Sequence, residues 1–176
     1  MSSVSVEERV LGRVRSLPDY PQRGVTFRDI TPVLADPLSF AAVVDAMVSA
    51  QTEPIDKVAG MEARGFLLAA PVAYQLGAGV IPLRKTGKLP SATLSREYTL
   101  EYGIETLEVH IDACQPGDRV LIVDDVLATG GTAGAAAHLI EQTGATVVGL
   151  AFMLEIDVLG GRKALHGRIV STIVSY

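Results

Sequence analysis

A chain of 176 residues, 48% hydrophobic and 20% charged, closes one sizeable core with little left for a second, and is too apolar for disorder. A net charge of −5 excludes a chain-wide basic field for nucleic acid, and the single cysteine, Cys114, excludes an intrachain disulfide. No apolar run approaches the roughly 20 residues of a membrane helix, and the N-terminus lacks a charged-then-apolar leader, so a cytoplasmic protein with neither membrane nor nucleic-acid partner is expected.

In chain order, Val6, Val10, Val14 and Leu17 recur at helical spacing and predict an amphipathic helix over 4–16, stopped by Pro18. Residues 18–37 carry four prolines and predict an extended, irregular segment, which at that length is more often functional than idle. Asp36-Pro37 is a helix start, with Phe40, Val43, Val44, Met47 and Val48 as its buried face. Strands are then predicted at 57–61, 79–83, 119–123, 145–154 and 168–174, and helices at 66–76, 132–142 and 158–165. The strands are continuous Val/Ile/Leu runs, which indicates burial on both faces. Strand–helix alternation with short loops predicts one α/β domain over 1–176, a parallel twisted sheet flanked by helices. Residues 84–112 break the alternation. Ser95–Leu100 and Ile104–Ile111 alternate about Glu101-Tyr102-Gly103 and predict an antiparallel hairpin projecting on a long flexible excursion.

The stretch richest in chemistry is Val120-Leu-Ile-Val-Asp-Asp-Val-Leu-Ala-Thr-Gly-Gly-Thr132. In open α/β sheets ligands sit beyond the carboxyl ends of the strands, and Asp124 and Asp125 follow the predicted strand 119–123. Ala128, Thr129, Gly130, Gly131 and Thr132 then turn into a helix start. Small residues there let several N–H groups converge on one anion, and two hydroxyls add donors. The loop lacks the Gly-Lys-Thr/Ser ending of nucleotide triphosphatases and is not Gly-x-Gly-x-x-Gly. Two carboxylates beside a phosphate nest suit a ligand with vicinal hydroxyls next to its phosphate, namely a phosphorylated ribose. An isolated Asp-Asp would more often be a turn cap and a solvated neighbour, and the glycine nest at this spacing tips the balance.

Val120–Thr132 closely resembles the ribose-5-phosphate signature of the type I phosphoribosyltransferases. That family moves the ribose phosphate of phosphoribosyl pyrophosphate (PRPP) to a nitrogen. Gly24–Leu34, Ala59–Phe66, Arg84–Pro90 and Leu100–Gly103 follow the adenine-using branch in the same order, over nearly the whole chain. The resemblance implies the type I phosphoribosyltransferase fold, with an N-terminal hood at about 18–35 and a flexible catalytic hairpin at about 86–111.

Residue by residue, the resemblance implies that Asp124, Asp125 and the 128–132 loop take the ribose phosphate. Glu62, Ala63 and Arg64 would form a pyrophosphate loop whose Glu62–Ala63 bond is strained and open to the cis form. Arg84, Lys85 and Lys88 crowd the end of a strand without acidic neighbours in sequence, which suits a polyanionic leaving group. Phe27 would stack on adenine, with the backbone at Thr26 and Arg28 reading its edge and Val126 covering its other face. Glu101 would accept a proton near the base, beside Tyr102 in the lid. Arg64, Glu101, Asp124 and Asp125 are thus the candidate catalytic set. Mg²⁺ is expected to arrive with PRPP rather than in a protein cage, and a homodimer is the family expectation. His110, His138 and His166 match no metal-ligand spacing. The alternatives are a transferase for another base, a non-catalytic PRPP-sensing regulator, and a phospho-aspartate receiver domain. The last leaves Thr129–Thr132 and the basic cluster unexplained.

Overall fold

The first helix ends earlier than its apolar spacing predicts. In the computed structural model, which describes residues 4–100 and 103–176, α1 spans Val6–Leu11. Ser5 and Glu8 form a reciprocal capping box at its start, and Gly12 closes it. The helix predicted through Ser16 gives way to a strand. Arg15–Pro18 (β1) pairs antiparallel with Thr26–Asp29 (β2), setting Leu17 opposite Phe27. Local periodicity lost to a tertiary partner, because β2 supplies a ladder that an isolated turn of helix cannot match. Residues 18–37, predicted irregular, therefore contain β2 and a one-turn helix, Thr31–Ala35 (α2).

Helix α3 is Pro37–Ser49, capped as predicted by the Asp36 carboxylate, which accepts from the Ser39 N–H at 2.8 Å. The alternation follows: β3 Lys57–Met61, α4 Gly65–Leu76, β4 Gly79–Lys85, the hairpin β5 Thr93–Leu100 and β6 Gly103–His110, β7 Arg119–Leu127, α5 Gly131–Gln142 and β8 Thr146–Glu155. A 3₁₀ turn at Asp157–Leu159, a short α6 at Gly161–Ala164 and β9 Val170–Ser175 complete the chain. Gly77 ends α4 in the left-handed conformation that a glycine adopts without cost.

The main sheet has seven strands in the order β5-β6-β4-β3-β7-β8-β9. The five from β4 to β9 are parallel and form the helix-flanked parallel sheet predicted from sequence. The hairpin is no free excursion at its base. Arg84 and Lys85 of β4 pair with Glu108 and Leu107 of β6, and Leu107 and Val109 are buried in the core. Its inner face has apolar residues to bury, and α5 supplies the surface that covers them.

Two apolar layers cover the sheet. Ala133, Ala136, Leu139 and Ile140 of α5 pack on Ile122 and Phe152. Val43 and Met47 of α3 and Leu68 and Val72 of α4 pack on Leu121, Val123 and Met153 on the other side. Fully burying each of the Val, Leu, Ile, Met and Phe side chains contributes about 1.5–3 kcal/mol, which holds the strand ends in fixed register for the site. None of the described helices is long and apolar enough to cross a membrane.

Candidate active site

Strand β7 carries its two carboxylates inside the sheet rather than beyond it. The strand predicted to stop at Val123 continues to Leu127, because β8 runs on to Glu155 and pairs Val126 with Leu154 and Leu127 with Glu155. Successive strand residues point to opposite faces. Asp124 faces a cavity of about 290 Å³, shared with Met61, Val126 and the whole Ala128–Thr132 loop. Asp125, 4% exposed, lies 2.8 Å from Nε of Arg64 at the start of α4. Gly65 makes this approach possible: a Cβ there would stand 2.7 Å from the Asp124 carboxylate.

The electrostatics follow from burial. Loss of solvent pushes the Asp124 carboxyl well above its ordinary value, and the neighbouring Asp125 charge adds to the rise. Burial also raises Asp125, opposed by the Arg64 guanidinium. Asp124 Oδ1 accepts the Asp125 N–H at 2.9 Å. Asp125 Oδ2, despite its ion pair, has no aligned hydrogen-bond donor. A buried carboxylate oxygen in that condition has unspent capacity for a ligand hydroxyl.

Beside the carboxylates, Gly130 (φ 84°) turns the chain into α5, whose first residues are Gly131 and Thr132. All five residues predicted to take the phosphate line the same cavity as Asp124. The free N–H groups of the first helical turn and the positive end of the α5 dipole converge there.

The predicted pyrophosphate residues gather around the neighbouring strand ends. The Glu62–Ala63 peptide bond is cis. Glu62 accepts the Lys85 N–H at 2.8 Å and lies 3.3 Å from Nε of Arg84, and these contacts hold its carboxyl below its usual range, the Lys85 bond being the largest cause. Lys85 Nζ meets Glu105 at 2.7 Å, and Glu105 also accepts from the Tyr98 hydroxyl at 3.1 Å. Arg84 and Lys85 therefore have acidic partners, contrary to the expectation of an unaccompanied cationic set. The partners come from the turn after β3 (Glu62) and from β6 (Glu105), which sequence neighbours do not reveal. Lys88 is exposed, and its carbonyl accepts from Arg84 at 3.3 Å. Arg64 does not join Arg84 and Lys85. It lies between Asp125 and the ring of Phe27, with its guanidinium 5.2 Å from the ring centroid.

Phe27 sits on β2, braced edge-on by Tyr20 with centroids 5.3 Å apart. Thr26 is exposed beside it, and Arg28 stacks at 4.0 Å over the ring of Tyr176. Thr26, Phe27 and Arg28 are thereby brought to the same end of the sheet as Arg64 and Asp125. Glu101 and Tyr102 lie outside the described residues.

Several participants were not singled out in the sequence. Glu105 and Tyr98 are direct cross-strand partners in the hairpin, a pairing set by the strand register. The buried Glu155 and the exposed Arg162 form an ion pair beside the phosphate loop, for which the sequence carries no local signal.

Known proteins resemble this chain in sequence and in fold. The family model for the phosphoribosyl transferase domain matches residues 33–170. An adenine phosphoribosyltransferase of Acidothermus cellulolyticus is 57% identical over 99% of both chains. The crystal structure of the adenine phosphoribosyltransferase of Thermoanaerobacter pseudethanolicus superposes with a TM-score of 0.94 at 46% identity, over 97% of this chain and 99% of that one. The Trypanosoma brucei enzyme, solved with AMP, pyrophosphate and ribose-5-phosphate, superposes with a TM-score of 0.89 at 26% identity, over 99% and 82%.

Proposed function

Because the chain belongs to the phosphoribosyltransferase family, in its adenine phosphoribosyltransferase branch, we infer that its site joins adenine to the ribose phosphate of PRPP, giving AMP and pyrophosphate in purine salvage. The observation that carries the residue assignments is the shared cavity of Asp124 and the Ala128–Thr132 loop, with Asp125, Arg64 and Phe27 alongside.

Adenine N9 attacks the anomeric carbon, the bond to pyrophosphate breaks, and the leaving oxygen takes the electron pair. The 128–132 loop anchors the 5′-phosphate, and Asp124 and Asp125 accept from the two ribose hydroxyls. Their negative charge also faces a sugar ring that becomes cationic, as in glycoside transfer. No covalent intermediate on the protein is needed, so catalysis is positioning plus charge management. Arg64, Arg84, Lys85 and Lys88 would draw the pyrophosphate. Binding there asks Arg84 and Lys85 to exchange Glu62 and Glu105 for phosphate oxygens, and Arg64 to leave Asp125 as that carboxylate turns to the ribose. Phe27 and Val126 would flank the base, and Glu101 would accept its proton.

Magnesium enters as part of the substrate. The described residues contain no group of three potential metal ligands, and two adjacent carboxylates fit an ion held by PRPP oxygens and water better than a closed cage. The ion would neutralise charge on the departing pyrophosphate. A second copy of the chain is proposed on the outer face of α4, where Leu67 and Tyr74, the latter 87% exposed, form an uncovered apolar line.

The decisive experiment mixes protein, Mg²⁺ and PRPP with adenine, hypoxanthine or guanine in parallel. AMP and pyrophosphate are expected with adenine alone. No AMP overturns the reading, and equal turnover of another base overturns the hood assignment.

A further inference from the structure

The phosphate loop does not hold its shape alone. Its main chain touches that of the 156–165 turn: a Cβ on Gly161 would stand 2.3 Å from the Ala128 carbonyl oxygen, and one on Gly130 would stand 2.8 Å from the Gly161 carbonyl oxygen. The Ile156 N–H donates to the Leu127 carbonyl at 2.9 Å, joining the two segments at their roots. Gly161 thus backs the loop at main-chain contact distance.

One side chain fixes that turn. Arg162, next to Gly161, donates from Nε to Glu155 Oε1 at 3.1 Å and from Nη2 to Oε2 at 2.5 Å. It also donates to the Val170 carbonyl at 2.9 Å and to the Thr172 hydroxyl at 3.1 Å. Glu155 is 4% exposed and ends β8, in register with Leu127 on one side and Ser175 on the other. A buried carboxylate is tolerated only when paired, and a guanidinium fork matches it in two bonds. The turn is thereby bolted to β8 and β9. None of Glu155, Gly161 and Arg162 lines the substrate cavity.

We propose that Glu155 and Arg162 are positioning residues for the 5′-phosphate subsite, acting through the backbone contact of Gly161 with Ala128 and Gly130. The proposal rests on the reading of 128–132 as the phosphate loop. The pair sets the direction of the loop's N–H groups without touching substrate. Partners that orient metal ligands from outside change metal affinity by about 10- to 100-fold when removed, and an effect of that order is expected for this support of a phosphate loop.

The test titrates the purified full chain with ribose 5-phosphate and, separately, with Mg²⁺-pyrophosphate. Arg162→Gln is expected to weaken ribose 5-phosphate by about tenfold or more while pyrophosphate changes by less than about twofold. In turnover, KM for PRPP rises while kcat at saturating PRPP and KM for adenine stay within about threefold. Arg162→Lys keeps the charge but loses the fork, and recovers part of the affinity. Gly161→Ala disturbs the backbone contact directly and is expected to reproduce the selective loss, and Arg162→Lys keeps the proposal testable if Arg162→Gln folds poorly: a lysine that binds ribose 5-phosphate as wild type does would overturn it. Equal weakening of both ligands, or a fall in kcat at constant KM, would show a merely structural pair and overturn the proposal. If the wild-type protein makes AMP but does not bind ribose 5-phosphate, the loop assignment itself fails, and the wild-type titration reveals that before any variant is made.

Discussion

Replacing Asp124 and Asp125 together by Asn removes two negative charges and almost no volume. Each carboxylate is assigned a ribose hydroxyl, and a hydrogen bond to a charged group contributes about 1.5–3 kcal/mol. Two such bonds amount to about 3–6 kcal/mol, and at about 1.4 kcal/mol per factor of ten kcat/KM should fall by about 10²–10⁴. The fold should respond in the opposite sense. Burial raises both carboxyls, and Asp125 keeps one oxygen without an aligned donor, so the charges cost the folded state more than they return. An acid raised in the folded state favours folding at low pH, and that advantage is lost as pH rises through the folded pKa. At neutral pH the double variant should therefore melt at or above the wild-type Tm. The difference should shrink in acid as the wild-type carboxyls take up protons. Steady-state kinetics with PRPP and adenine, and melting curves from pH 4 to 8, measure both effects. Turnover within a few-fold of wild type would refute the ribose assignment, and a large loss of Tm at neutral pH would refute the electrostatic argument.

Phe27→Ala should raise KM for adenine by roughly 5- to 150-fold, the equivalent of about 1–3 kcal/mol of base stacking, while PRPP affinity holds. Parallel titrations of the two substrates separate these outcomes. Glu101→Gln should lower kcat by on the order of 10²–10⁴ with a smaller effect on KM, as for a group acting on a proton in the transition state. A pure KM effect in initial-rate assays would give Glu101 a binding role instead. Asp56→Asn tests the base of the sheet, where Arg119 donates to both carboxylate oxygens from its side chain and once from its backbone. Those bonds hold the Asp56 carboxyl far below its ordinary value, so its stabilisation is present above the unfolded pKa and lost as pH falls through the folded one. The variant should melt below wild type at pH 7 and still do so near pH 4, a gap that thermal scans at both values would reveal.

What the sequence by itself determined is the class of fold and the chemistry of its richest loop. Apolar runs alternating with helices made 57–61, 79–83 and 119–123 legible as parallel strands; 57–61 and 119–123 are buried on both faces as expected, whereas 79–83 alternates, with Val80 49% exposed. Asp124-Asp125 with Ala128–Thr132 was legible because a phosphate nest is local: its donors are backbone groups of consecutive residues, and its glycines are marks in the sequence. The tertiary structure alone decided how far β7 runs, since Asp124 and Asp125 are carried into the ladder by a neighbouring strand that continues to Glu155. It also decided that 15–18 is a strand and not the end of a helix, because β2 lies alongside. Charge partners were the least legible feature. Glu62 with Arg84, Glu105 with Lys85 and Asp125 with Arg64 join residues 20 or more positions apart, and Glu155 with Arg162 meets across a turn that only packing against the phosphate loop shapes. Side-chain pairing depends on where strands end relative to one another. That relation is a property of the assembled sheet, and no local stretch of chain contains it.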